Sequence, residues 1–371
     1  MKIVILIDWF LYYSVELANA LSETGEVMLV TRDHELEISP QAGPGGLKLF
    51  LDQCLSPKVT REKLRFRRRS WRNFFEIIRV CRRIRSFRPD VIHIQQNTDW
   101  RILAVVRLVG SGKTVLTIHD VTLHPGKQKD PFLGINRSLL RRASRIIIHG
   151  TKLKESLAAR YPKLRDRIAV LPHGVFTLYG RWDDGCVQED ARCLLFFGNI
   201  CAYKGLEALV EAGSIIAREY PDIRIVVAGR GDIEGPNRKA LEQDPHFELH
   251  NRFIPNEEVF RFFRRASVVV LPYVEASQSG VIPLAYGFGK PVVATDVGSI
   301  PEVVEDGKTG YIVPPNNAAA LAAAVVKILK NPNLKASLKE NVRRKAATDL
   351  SWKTIASETL RVYADLVQGD E

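Results

Sequence analysis

The chain has 371 residues, 46% of them apolar and 26% charged, with a formal net charge of +12. This is the composition of a soluble globular protein, and the length predicts two domains. No apolar run approaches the ~20 residues of a membrane span, and five scattered cysteines without metal-ligand spacing predict reduced thiols rather than a disulfide framework.

In chain order, Lys2–Ile7 reads as a strand buried on both faces, the habit of a parallel sheet. The loop from Asp8 to Tyr13 carries no glycine, so no phosphate cradle is expected there. A helix over 15–21 and a strand over 27–31 complete a βαβ opening. Residues 35–70 read as irregular and then basic. Between Lys58 and Arg88 stand thirteen Lys or Arg against Glu62 and Glu76, a net of +11. Such a run predicts an anionic partner. A helix is expected from Trp71, with Phe74, Ile77, Ile78, Cys81 and Ile84 at helical spacing on its apolar face together with Phe75. Strands over 91–95, 114–118, 145–149 and 168–171 then alternate with helices over 101–108, 137–142 and 152–161. Gly110-Ser111-Gly112-Lys113-Thr114 has the ending of a P-loop, but Arg107 stands where its first glycine belongs and Lys113 opens a strand; it reads as a turn.

Residues 173–192, rich in Gly and Asp, read as a linker leading into a second strand–helix series. Strands are expected over 193–197, 223–228, 268–271 and 291–295, and helices over 206–219, 259–266, 281–288, 318–329 and 333–348. A last helix over 352–368 follows Ser351, a good N-cap. The predicted fold class is α/β, with two doubly wound domains over 1–172 and 173–350; residues 351–371 form a C-terminal helix that packs back on the first.

Ligands of open α/β sheets bind beyond the carboxyl ends of the strands. Four pieces fall there. His119-Asp120 ends one strand of the first domain. In the second domain, Gly198-Asn199 and Lys204 lie between the first strand and its helix. Gly229-Arg230 ends the next strand, and Ser279-Gly280-Val281 opens a short helix. Glycines admit a close backbone approach, a lysine supplies a point charge, and helix-start amides hold anions. Three strand ends of one sheet thus converge on an anionic ligand.

In this order the pieces resemble the family 4 glycosyltransferases of the GT-B type, over nearly the whole chain. The matching segments are TIHD at 117–120, VLPHGV at 170–175, FFGNICAYKGLEALVEA at 196–212, VVAGRGD at 226–232, NRFIPNEEV at 251–259 and the stretch from Leu271 to Pro315. The resemblance implies two Rossmann-like domains facing across a cleft, the second binding a nucleotide-sugar donor and the first a glycan or lipid-linked acceptor. It implies a retaining, metal-independent hexosyltransferase of cell-envelope or exopolysaccharide synthesis with no cofactor; no nucleic acid is expected, since the basic run lacks interleaved aromatics except Phe66, Trp71, Phe74 and Phe75, the last two on the apolar face. Lys204 matches the family's diphosphate lysine, Gly198 the glycine before it, and His119 the histidine facing the donor sugar, with Asp120 beside it. Ser279, Gly280 and Val281 match the amides that hold the distal phosphate. The family's arginine partner of the lysine falls at Asn199, and Arg230 or Arg252 is the expected substitute. The second glutamate of its paired-glutamate motif falls at Leu284, Glu275 lies one residue off the place of the first, and the glycine-rich first loop is absent. These departures leave two alternatives, a nucleotide-sugar-binding protein with weakened catalysis and a nucleotide-sugar epimerase. The expected location is cytoplasmic, with electrostatic docking of the region from Lys58 to Arg88 on an anionic membrane face and no insertion.

Overall fold

The computed structural model describes residues 1–32, 46–66, 70–95, 99–110, 113–119, 135–233 and 235–368. The chain divides into two compact units, one built on residues up to Gly174 and on the chain from Trp352 onward, the other on Val175–Ser351.

Seven strands form the sheet of the first unit: β1 (Lys2–Ile7), β2 (Glu26–Arg32), β3 (Val59–Leu64), β4 (Val91–Gln95), β5 (Thr114–Ile118), β6 (Arg145–Ile148) and β7 (Ile168–Val170). They lie in the order β3-β2-β1-β4-β5-β6-β7, all parallel. Its helices are α1 (Leu11–Leu21), α2 (Gly46–Cys54), α3 (Arg72–Phe87), α4 (Trp100–Val109), α5 (Ile135–Arg142) and α6 (Thr151–Arg160). Ile3, Val4, Ile5 and Leu6 are wholly buried, because helices cover both faces of a parallel sheet.

Three expectations need correction here. The segment expected to be irregular holds α2 and the edge strand β3. Only Val59, Glu62 and Leu64 of β3 are buried, and charges on an edge strand conceal its pattern. Helix α1 begins at Leu11, inside the expected loop, behind a left-handed Phe10 at φ 64°. Phe74 and Phe75 do not face the core: they are 63% and 58% exposed. The buried side of α3 is Asn73, Ile77, Val80, Cys81 and Ile84. Phe74 lies at the margin of that stripe, in the first turn, and burial favours the residues at its centre.

The second unit has six parallel strands, β8 (Cys193–Phe197), β9 (Arg224–Ala228), β10 (Phe247–His250), β11 (Val268–Leu271), β12 (Val292–Thr295) and β13 (Gly310–Val313), in the order β10-β9-β8-β11-β12-β13. Helices α7 (Leu206–Glu219), α8 (Gly235–Gln243), α9 (Asn256–Arg265), α10 (Val281–Gly287), α11 (Ile300–Val303), α12 (Ala318–Lys330) and α13 (Pro332–Ala347) surround it. From Val175 the expected linker is part of this unit. Val175 N donates to Leu350 O, and Glu189 accepts from Lys290 at 2.6 Å and Lys339 at 2.7 Å.

The last helix, α14 (Trp352–Gln368), belongs to the first unit, where it packs on α1. Tyr363 Oη lies 2.5 Å from His93 Nδ1, and Lys113, the lysine of the P-loop-like turn, donates to Val367 O. Gly174 is required beside it, since a Cβ there would stand 2.8 Å from the Trp352 ring. Among the described residues no helix is long and apolar enough to cross a membrane.

Candidate functional site

Each sheet reverses its strand order once, between β1 and β4 in the first unit and between β8 and β11 in the second. The crevice at such a reversal is where open α/β sheets hold ligands.

In the second unit the loop after β8 brings Lys204 to this point. The residue is 8% exposed. Its Nζ donates to Tyr273 Oη at 2.7 Å, from the loop after β11, and lies 4.4 Å from the centre of that ring. Tyr273 Oη is 3.3 Å from Ser279 Oγ, which accepts from Val281 N, also at 3.3 Å. Lysine, tyrosine, serine and the first amide of α10 form one chain of polar groups. Gly198 adopts φ 106°, and a Cβ there would stand 3.6 Å from Lys204 Nζ and 3.8 Å from Val281 Cγ2. The glycine keeps the space before the ammonium open. Its own N–H donates to Ala228 O, so it contributes access rather than a donor.

Two lysines are buried among the described residues of this unit, and they differ in partners. Lys290 sits 2.6 Å from Glu189. Lys204 has no carboxylate within ion-pair distance among the described residues. A buried ammonium without a counter-ion is costly unless an anion completes it. One of its three N–H donors goes to Tyr273, which leaves two for a ligand.

The other expected donor-binding residues stand apart from this chain. Asn199, Arg230, Arg252 and Glu275 are all exposed. Arg252 is ion-paired with Glu258, which weakens it as the substitute cation. Gly229 donates its N–H to His250 O and would collide with Gly198 O if it carried a Cβ, so it holds the two loops together instead of meeting an anion. Gly280 is the exposed N-cap of α10. Leu284 is 6% exposed, within the core. Sequence reasoning missed Tyr273; its place two residues past a strand at the reversal was the available signal.

In the first unit His119 directly follows β5 and is 1% exposed. Its Nε2 lies 2.9 Å from Gln95 Oε1, where an N–H would donate. Phe10 stacks on it with centroids 3.7 Å apart, and Tyr13 meets it edge-on at 4.9 Å. A non-glycine residue held at positive φ stores strain; here the left-handed turn carries the phenyl ring onto His119. His149 and His173 complete the group, with centroids 5.0 and 6.2 Å from His119. His149 directly follows β6 as His119 follows β5, and His173 stands three residues past β7, positions legible in the sequence but unused. His149 Nδ1 donates to Leu171 O and His173 Nδ1 to Gly174 O. Asp120 lies outside the described residues. Among the described residues no three His, Cys, Asp or Glu are placed to hold a metal ion.

Burial holds His119 well below the usual histidine range, with His149, His173 and His93 adding repulsion. Burial likewise lowers His149 to about 4, and lowers His93 and His173 to about 3, with His149 adding repulsion to both. All four are neutral near pH 7. The unfolded chain takes up their protons below its histidine pKa of about 6.5, while in the folded chain His149 does not until about 4, His93 and His173 not until about 3, and His119 is held low as well. Stability from these groups is therefore complete above pH 6.5 and is lost as pH falls toward 4, by up to about 1.4 kcal/mol per pH unit for each histidine. The melting temperature should fall from pH 6.5 to 5.0, above the ordinary carboxylate range. A flat or rising profile in a calorimetric pH series would contradict neutral burial.

The profile described as Glycosyltransferase Family 4 matches residues 12–177, and the profile described as Glycosyl transferases group 1 matches 191–331. The chain belongs to this glycosyltransferase family. A D-inositol 3-phosphate glycosyltransferase of Pseudarthrobacter chlorophenolicus is 29% identical over 377 residues, covering 95% of this chain and 89% of that protein. HepE of Anabaena, solved in complex with UDP-glucose, has a TM-score of 0.70 at 16% identity over 98% of this chain and all of that one. A putative UDP-N-acetylglucosamine 2-epimerase of Listeria monocytogenes has a TM-score of 0.61 at 17% identity, covering all of this chain and 97% of that one. These neighbours show the GT-B fold.

Proposed function

We propose that this glycosyltransferase moves a sugar from a nucleoside-diphosphate donor to a glycan or lipid-linked acceptor in cell-envelope or exopolysaccharide synthesis. Configuration at the anomeric carbon is retained and no metal takes part. The observation that carries the reading is Lys204, a buried ammonium at the strand-order reversal with no carboxylate partner among the described residues.

The bond between the anomeric carbon and the diphosphate oxygen breaks, and its electron pair leaves with the nucleoside diphosphate. That group gains negative charge as it departs, and Lys204 with the amides at the start of α10 stabilises it. The acceptor hydroxyl oxygen bonds the anomeric carbon on the face being vacated, and its proton passes to the leaving phosphate oxygen. His119, neutral and with its Nε2 N–H taken by Gln95, accepts a hydrogen bond from a hydroxyl of the donor sugar at Nδ1 and brings no charge. Arg230, exposed and without an ion pair among the described residues, is the substitute for the cation absent at Asn199, since Arg252 is taken up by Glu258.

Asn199 and the buried Leu284 favour one competing reading, a protein that binds a nucleotide-sugar without transferring it. A panel of UDP-, GDP- and ADP-sugars in a thermal-shift assay identifies the donor, since a ligand of the folded state raises the melting temperature. Release of nucleoside diphosphate from that donor supports transfer, even as slow hydrolysis. Binding without release supports the competing reading, and an epimerised nucleotide-sugar without acceptor identifies an epimerase. Turnover should survive excess EDTA; complete loss that magnesium or manganese restores would overturn the metal-free mechanism.

A further inference from the structure

The start of α3 presents an aromatic cluster to solvent. Trp71, Phe74 and Phe75 are 73%, 63% and 58% exposed, with centroids 5.6 Å apart for Trp71–Phe75 and 5.8 Å for Phe74–Phe75. Folded chains seldom leave contiguous large apolar groups in water without an occupant. The charge around the cluster is of one sign. Glu62 and Glu76, the only acids between Lys58 and Arg88, are taken up by Arg79 and Arg83. Arg72 and Arg82 are exposed and form no ion pair among the described residues.

We propose that this cluster enters the headgroup region of an anionic lipid bilayer, with the surrounding arginines on lipid phosphates. Tryptophan and phenylalanine beside arginines match the interface, where apolar rings and anionic groups lie at one depth. A second copy of the chain fits poorly, since a twofold contact would set this basic patch against itself. The expectation of docking by charge alone is thereby replaced by shallow insertion. In a parallel sheet every helix that follows a strand starts at the carboxyl edge, so α3 and its neighbour α4 begin on the edge where His119 follows β5. Trp100, which opens α4, is also 60% exposed. Docking there brings the acceptor side to the lipid surface, and in that purpose the proposal rests on a lipid-linked acceptor.

The test uses the full chain with phosphatidylglycerol or phosphatidylcholine vesicles and neither donor nor acceptor, so its failure is separate from failure of the transfer reading. The chain should sediment with the anionic vesicles only. Part of the binding should persist at about 0.5 M salt, where the Debye length is roughly 4 Å. Replacing Trp71, Phe74 and Phe75 together by serine should lower partitioning about tenfold or more, with the melting temperature kept. Should that variant fail to fold, Trp71→Phe decides alone: lipids brominated near the headgroup should quench tryptophan fluorescence in the wild type, and the variant should bind equally but lose at least about half of the quenching. Binding that high salt abolishes, or quenching unchanged in Trp71→Phe, overturns insertion. No binding to either vesicle, dimerisation through the cluster, or preference for single-stranded nucleic acid overturns the membrane as its occupant.

Discussion

Lys204→Met should lower kcat/KM roughly 30- to 1,000-fold while the melting temperature stays level or rises. The rate term follows from the leaving group: one oxyanion stabiliser contributes about 2–4 kcal/mol in the transition state, which converts to that range. The stability term follows from the site. An ammonium buried at 8% exposure, hydrogen-bonded to Tyr273 and unpaired with any carboxylate among the described residues, costs more in the ligand-free fold than an apolar side chain of similar length. Opposite movements of activity and stability mark a residue kept for function. Tyr273→Phe should lower kcat/KM less, since Tyr273 positions Lys204 and does not carry its charge, and should lower the melting temperature, since the buried ammonium loses its partner. Near wild-type turnover in Lys204→Met would remove this lysine from the diphosphate site. A collapse of the melting temperature would show that it is structural.

His119→Ala should lower kcat roughly 10- to 150-fold and leave nucleotide affinity within about twofold. The range is that of a hydrogen bond of about 1.5–3 kcal/mol made to the sugar in the transition state. Donor nucleotide contacts are assigned to the second unit, so binding and rate should separate. His119→Gln keeps an acceptor oxygen in place of the unprotonated Nδ1 and should recover part of the loss. Burial holds the imidazole neutral across the working range. The kcat profile of the wild type should therefore show no inflection near 6.5, and one that disappears in His119→Ala would mean the group titrates during turnover. Equal losses in affinity and kcat would make it a ground-state contact. Because Phe10 packs on this ring, the melting temperature of each variant must be measured beside its kinetics.

The sequence by itself determined the α/β class, the alternation of strands and helices, the family, and the strand-end positions of His119, Gly198, Lys204 and Ser279. Those depend on short-range signals: β-branched runs too apolar for any place but a buried parallel sheet, and glycines and lysine in the turns that follow them. It could not show β3 or β10, whose charged residues mask a strand's pattern at the sheet edges. Contacts between residues far apart in sequence were decided only by the tertiary structure. Tyr273 reaches Lys204 across 69 positions, and Phe10 reaches His119 by a left-handed backbone turn that no local propensity favours. His93 meets Tyr363 across 270 positions, fixing α14 on the first unit. The same holds for exposure. Periodicity placed Phe74 on an apolar stripe, but whether a residue at the margin of that stripe is covered depends on what lies over the first turn of α3. Helical spacing carries no information about neighbours from the rest of the chain, and that is why the exposed aromatic cluster emerged only from the fold.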